Sequence, residues 1–525
     1  MRTLIKLLLV TILFLASVPS QAQLTPSFLD RMDEKVPGEA NQQFQFLAFF
    51  YTHGVGTNIY PENDFLRGQV IGRLFGQNTT ETSDSLQAFY FEQRILPFFI
   101  YSPRIFNGRA TLRASFEIDW TWGDVAYGAG PNQGSAPSAD QVNLQTQNIE
   151  LELIPAKGWA VNLGLQRMYD TPFNPYRTFF EQLTNTAYRL NYWGTDGVGV
   201  SVRYDRDYDR FKAGYYQLYE NNIEQLDDVS FMEFTYHRNL NYRWDLGVSA
   251  HYVRDRANGE GGPSILGQGL NALLNTYNGT YRFPYGGQRY RADVGWLGAY
   301  WSFNRQYVLH RWFMTGYANW NFGMVDLENE AGAFEPTTSL SGLGANLRVG
   351  YRYGQTIADA FTVDVIYTSG DENGLQDDVF NGVMTGNYWA TPGGLYISHG
   401  GYLLFPHANV VNRYVAAVPD ISNIGYGLIG GTFNASKDFI PNKFSGKLGY
   451  VTAFSRVAPE GGGVRLGHEA NFKLAYNLGA FMSVEWHGAY LWLGDFFDSP
   501  EINGDQSARP VNPYQTFLAF RWLMF

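Results

Sequence analysis

The 525 residues contain no cysteine. Disulfide staples, thiolate metal sites and thiol nucleophiles are therefore excluded. Beyond residue 22 the chain has no apolar run near eighteen residues, so a bundle of membrane-crossing helices is excluded. Basic residues do not dominate. Lys and Arg number 38 against 49 Asp and Glu, for a net charge of -11. That balance gives no support to nucleic-acid binding. Catalytic signatures are missing too: no HExxH, GxSxG or P-loop occurs, and the eight histidines are scattered. No enzyme is expected, although a Ser–His pair brought together by folding needs no sequence adjacency. No cofactor or metal is expected either. The acidic stretch Asp371, Glu372, Asp377 and Asp378 fits no EF-hand spacing.

What is present is aromatic and periodic. The chain holds 36 Tyr, 39 Phe and 13 Trp, with 57 Gly. Residues 109–124 read RATLRASFEIDWTWGD. Ala110, Leu112, Ala114, Phe116, Ile118, Trp120 and Trp122 alternate with polar neighbours. Strict alternation is a strand signature, and this run exceeds the usual five or six residues. The same pattern returns in 240–252, 343–353 and 482–492. Alternating strands, abundant aromatics and no apolar helix predict an all-β fold: a transmembrane antiparallel β-barrel, closed so that every backbone group is paired.

Residues 1–22, MRTLIKLLLVTILFLASVPSQA, read as an export signal. Arg2 and Lys6 precede an apolar run, and Ser20-Gln21-Ala22 offers a cleavage site. Losing those two positive charges takes the net charge to -13. Eighteen strands are expected: 65–75, 86–101, 109–122, 141–154, 158–168, 196–204, 210–219, 229–238, 240–253, 290–303, 308–321, 342–354, 360–369, 426–436, 443–454, 464–477, 481–493 and 513–525. The links alternate short and long, as periplasmic turns and extracellular loops do. Links 123–140, 169–195, 254–289, 322–341, 370–425 and 494–512 are the long set. This organisation predicts a leader at 1–22, a periplasmic segment at 23–64 and an outer-membrane barrel at 65–525. Residues 44–52, FQFLAFFYT, also look like a strand, which would break the even count. The end, YQTFLAFRWLMF, has Phe517, Ala519, Leu523 and Phe525 at alternate positions, as bacterial outer-membrane chains do. Arg521 interrupts them, which leaves Leu518, Phe520 and Trp522 as the other outward choice.

An apolar face against lipid leaves a polar face toward a watery lumen. The basic side chains expected to set selectivity there are Arg109, Arg113, Arg243, Arg291, Arg348 and Arg352, opposed by a nearly equal set of carboxylates. Long loops folding inward would narrow the pore. Loop 169–195, with Tyr176 and Arg177, is one candidate, and 370–425 is the longest.

The stretch VDVIYTSGDENGLQDDVFNG (363–382) resembles the alginate-export family of outer-membrane porins, where a strand ends in Ser-Gly-Asp before a long loop carrying a Phe. Here those residues are Ser369, Gly370, Asp371 and Phe380. LQTQNIELELIPAKGWAVNLGLQRMYD (144–170) resembles the paired strands of that family, its turn reading Gly164-Leu165-Gln166-Arg167. The resemblance implies an eighteen-stranded barrel with a positively charged constriction for an anionic polysaccharide such as alginate, and places Ser369, Asp371 and Phe380 in the constricting loop. The expected function is passive, selective diffusion or export of a hydrophilic or carbohydrate solute. The alternatives are a general diffusion porin, or a closed barrel that binds at the cell surface. The expected surroundings are outer-membrane lipids, and periplasmic export partners are left open.

Overall fold

The computed structural model describes residues 39–58, 69–70, 80–82, 87–123, 125–127, 143–167, 196–206, 208–219, 228–259, 275–277, 280–283, 285–304, 310–356, 358–384, 400–405, 413–414, 416–418, 421–503 and 509–524. Eighteen long strands run through them. In chain order they are β1 (Phe44–Thr57), β2 (Ala88–Tyr101), β3 (Ala110–Gly123), β4 (Asn143–Leu153), β5 (Trp159–Arg167) and β6 (Asp196–Arg206). Next come β7 (Asp209–Tyr219), β8 (Val229–Asn239), β9 (Trp244–Asp255), β10 (Tyr290–Phe303), β11 (Trp312–Glu328) and β12 (Phe334–Arg352). The last are β13 (Ala360–Thr368), β14 (Leu428–Ile440), β15 (Phe444–Ser455), β16 (Arg465–Gly479), β17 (Met482–Leu493) and β18 (Tyr514–Met524).

Each strand pairs antiparallel with its neighbours in sequence, and β1 pairs with both β2 and β18. The sheet is thus closed and has no open edge, which is the condition for a spanning β-structure. No described helix is long and apolar enough to cross a membrane.

Side-chain polarity is inverted relative to a water-soluble sandwich. In β8, Met232 and Phe234 are exposed while Glu233, Thr235 and His237 are buried. In β16, Glu469, Asn471 and Lys473 are buried and Tyr476 is exposed. Buried charge with exposed apolar surface is the reverse of the soluble rule. It is what a lipid-embedded barrel with a wet interior requires. Aromatic rings gather outside at both ends. Trp159 packs on Tyr204 and Phe211, Trp244 on Phe303, and Trp312 on Tyr351 near the short turns. Phe89 meets Phe91, Trp320 meets Phe322 and Tyr490 meets Trp492 toward the opposite end. Trp312 and Trp320 stand eight residues apart on β11, roughly 27 Å along a strand at ~3.4 Å per residue. With barrel tilt this approaches the ~25 Å apolar band of outer-membrane barrels.

Three details correct the sequence reading. Phe44–Thr57 is a wall strand, so the barrel begins within the expected periplasmic segment rather than at 65. Its inner face carries the buried apolar residues Leu47, Phe49 and Val55, so no alternation marks it. Of the expected strand 65–75, only Gln69–Val70 is described, and it pairs with Arg413–Tyr414 in a separate two-stranded sheet rather than in the wall. The total stays at eighteen because one strand replaces the other. The expected loop 322–341 is instead the continuation of β11 and β12, 17 and 19 residues long, across a turn at 329–333. Asn329 closes that turn by accepting the Ala331 and Ala333 amides at 3.0 Å each. Pro336 sits at a register shift, where a strand tolerates it. In β18, Leu518 and Trp522 face out, while Phe517, Ala519, Arg521 and Leu523 are buried inside. Residues 1–22, expected to be an export signal, lie outside the described residues.

Candidate pore lining

The inner wall from β3 to β9 is a ladder of opposed charges. Residues two apart on a strand share a face, and each has a cross-strand neighbour. Glu152 on β4 takes Arg113 of β3 at 2.8 Å and Arg203 of β6 at 3.1 Å. Beside it, Glu150 accepts from Asn162 at 3.2 Å. Farther round, Arg210 meets Asp205 at 2.8 Å, and Lys212 pairs with Glu233. Tyr216 donates to the same Glu233 at 2.5 Å.

The facing wall, β12 to β2, repeats this chemistry. Arg348 meets Asp364 at 2.6 Å. Glu485 is the hub of a cluster: Lys473 lies at 3.1 Å, His487 at 3.0 Å and Arg521 at 3.5 Å. His53 and Glu92 pair at 2.8 Å, and Tyr51 bonds His53 at 2.6 Å.

The connection between β13 and β14 sends two arms inward. The first begins at the Ser-Gly-Asp corner. Ser369 accepts the Leu343 amide at 2.8 Å. Asp371 is buried and accepts three amides, from Asn373, Gly374 and Asn381, at 3.1, 2.7 and 2.8 Å. Val379–Phe380 then pairs parallel with Ser339–Leu340 of β12. Phe380 is fully buried against Trp296, Val325 and Leu340, and the Trp296 indole donates to the Met384 carbonyl at 2.9 Å. The second arm comprises 400–405, 416–418 and 421–427. Leu403, Leu404, Phe405, Val418 and Ile421 are all buried, and they pack with Val451, Leu491 and Phe517 of the inner wall.

The six arginines expected in the lumen divide by place. Arg113 and Arg348 stand on the inner wall with carboxylate partners. Arg352, half-buried, ends β12 on the same face as Arg348. Arg109 is at the short-turn rim, exposed, with Glu39 at 2.9 Å. Arg243 lies in the β8–β9 turn over the ring of Tyr242. Arg291 is the correction: it alternates with the buried Tyr290, Ala292 and Val294 and so faces outward, over Phe334 at 3.9 Å. The reason is local. The first arm packs inside β10, so that strand's inner face is apolar and its charges stand outside. Tyr176 and Arg177 lie outside the described residues. His53, Glu92 and Arg94 do not stand out in the sequence, because 46–50 is apolar at every position and the register of β1 with β2 is set only by folding. Alternation alone does not assign Arg521 to a face, a choice that only the register settles.

No family model matches the chain, and no curated protein matches it in sequence. Solved structures match in shape. Pseudomonas aeruginosa OccK11 (OpdR) is 11% identical with a TM-score of 0.43, over 91% of this chain and 96% of that one. P. aeruginosa OpdQ is 10% identical with a TM-score of 0.44, over 91% and 99%. The outer-membrane protein OprD of the same organism is 11% identical with a TM-score of 0.42, over 91% and 94%. Likeness this distant says nothing of the solute.

Among the described residues no cluster of His, Cys, Asp or Glu is arranged to hold a metal. The inner face instead offers alternating charges, hydroxyls and amides. Such a wall exchanges hydrogen bonds and ion contacts with a passing solute and holds none of them permanently.

Proposed function

We propose that this chain is a bacterial outer-membrane channel through which small hydrophilic solutes diffuse passively, narrowed by the two loop arms. The observation that carries the reading is the inverted polarity: charge inside, apolar and aromatic surface outside.

The charge pattern refines the solute class. Glu150, Glu152, Asp205 and Glu233 stand among Arg113, Arg203, Arg210 and Lys212. Interleaved signs favour neutral or zwitterionic solutes, because a polyanion meets repulsion at every second contact. A uronate polymer, which the family resemblance implies, therefore stands behind a small polar solute in this reading.

Swelling of proteoliposomes tests it. Small neutral and zwitterionic solutes should enter quickly, and oligo-uronates slowly. Faster entry of oligo-uronates would reverse the solute class. No swelling with any solute would remove the channel reading.

A further inference from the structure

We propose that the position of the second loop arm, and with it the width of the lumen beside β14–β18, is keyed by one carboxylate. This rests on the channel reading above. Glu469 is on the inner face of β16 and is fully buried. Its Oε1 accepts the Tyr402 amide at 2.8 Å and Asn471 Nδ2 at 2.7 Å. Its Oε2 accepts the amides of Leu403 and Leu404 at 2.9 and 2.7 Å. Both oxygens are thus fully engaged, with about two lone-pair sites each. Three successive main-chain N–H groups aimed at one point form a nest for an anion, and bonds to an ionised acceptor are the strong kind. Here a wall residue fills the nest.

The surroundings fit a keyed arm. Asn471 also donates to the Gly400 carbonyl at 2.7 Å, which ties the arm's start to the same strand. Gly400 has φ +128°, and a Cβ there would lie 2.5 Å from Asn434 Oδ1. Gly427, at the arm's exit, has φ +70° and its Cβ would meet the Gly370 nitrogen at 2.5 Å. Both ends need glycine. Tyr402 bonds His487 at 3.1 Å, and Lys447 Nζ lies 5.0 Å from the Tyr402 ring centre. Among the described residues, the carboxylate of Glu469 is the one group that engages three consecutive arm amides together. Glu469 is therefore a positioning residue, and the nest at 402–404 is a carboxylate site occupied from within the chain.

The absence of cysteine makes a direct test available. L404C places one thiol at a side chain that is 0 % exposed. A membrane-impermeant thiol reagent should label it slowly in the reconstituted full-length protein. Adding E469A should speed labelling by about tenfold or more, since losing one hydrogen bond to a charged group already shifts an equilibrium that far. Acetate in the bath should slow it again, and chloride at equal ionic strength should not. If E469A fails to fold, E469Q keeps the volume and presents an amide, and its labelling should also rise. Unchanged labelling in a folded variant, or equal effects of acetate and chloride, would overturn the proposal. This readout needs no ionic current, so its failure is distinguishable from failure of the channel reading.

Discussion

Glu152 is the residue on which two lumen arginines converge, and it carries a direct consequence for selectivity. A unit charge about 7 Å from an ion in water changes its energy by about 0.6 kcal/mol. Its sign is opposite for a cation and an anion, so replacing Glu152 with Gln should raise the anion-to-cation permeability ratio roughly sevenfold, read from the reversal potential in a salt gradient. An unmoved ratio would place the Arg113–Glu152–Arg203 group away from the ion path. A second residue-scale expectation concerns pH. The Arg509 guanidinium grips Asp498 at 2.6 and 2.7 Å in the loop between β17 and β18, and these bonds hold the carboxyl below the usual aspartate range. A depressed carboxyl contributes stability above its unfolded value and loses it as pH falls through the folded one. Amide protection in residues 494–503, taken relative to the intrinsic exchange rate at each pH, should accordingly fall at pH below the ordinary aspartate range. D498N should show the slightly lower protection at all pH values and lose that dependence. Both groups are well exposed, so the effect is local and small.

At the scale of elements, cross-strand partners decide what the wall tolerates. Gly316 on β11 faces Trp301 on β10, and a Cβ there would fall 2.3 Å from the indole. G316A should destabilise the folded barrel by about 1–3 kcal/mol, the usual range for overpacking, as a shift in its urea midpoint. The N-terminal strand is a larger test. Deleting 44–57 leaves β2 and β18 without the strand that joins them, so the truncated chain should yield no closed, heat-modifiable species. Most of the strands were legible from alternation. Strand β3 was plain because Leu112 and Phe116 face lipid while Thr111 and Arg113 face in. Alternation failed wherever something packs inside the wall. Strand β1 hides behind Leu47 and Phe49, and β10 turns its charges outward because Phe380 and Met384 cover its inner face. The pairing of Arg113 with Glu152 needs a register that sequence does not supply, and the Glu469 nest needs a loop's path through the interior.

For the whole molecule, a channel needs lipid on one side of the wall and a wet lumen on the other. Val365 faces outward from the middle of β13, between Phe361 and Tyr367. V365R should cost about 2–4 kcal/mol of stability in bilayers, as charged side chains do at the midplane of such barrels. A negligible cost in a bilayer unfolding titration would mean that this face does not meet lipid. The most direct measurement of the central claim is planar-bilayer current from the purified, refolded chain. Stepwise ohmic conductance is expected, with a reversal potential that moves when Glu152 is neutralised. A folded, inserted barrel that passes no current under any salt or voltage would contradict it.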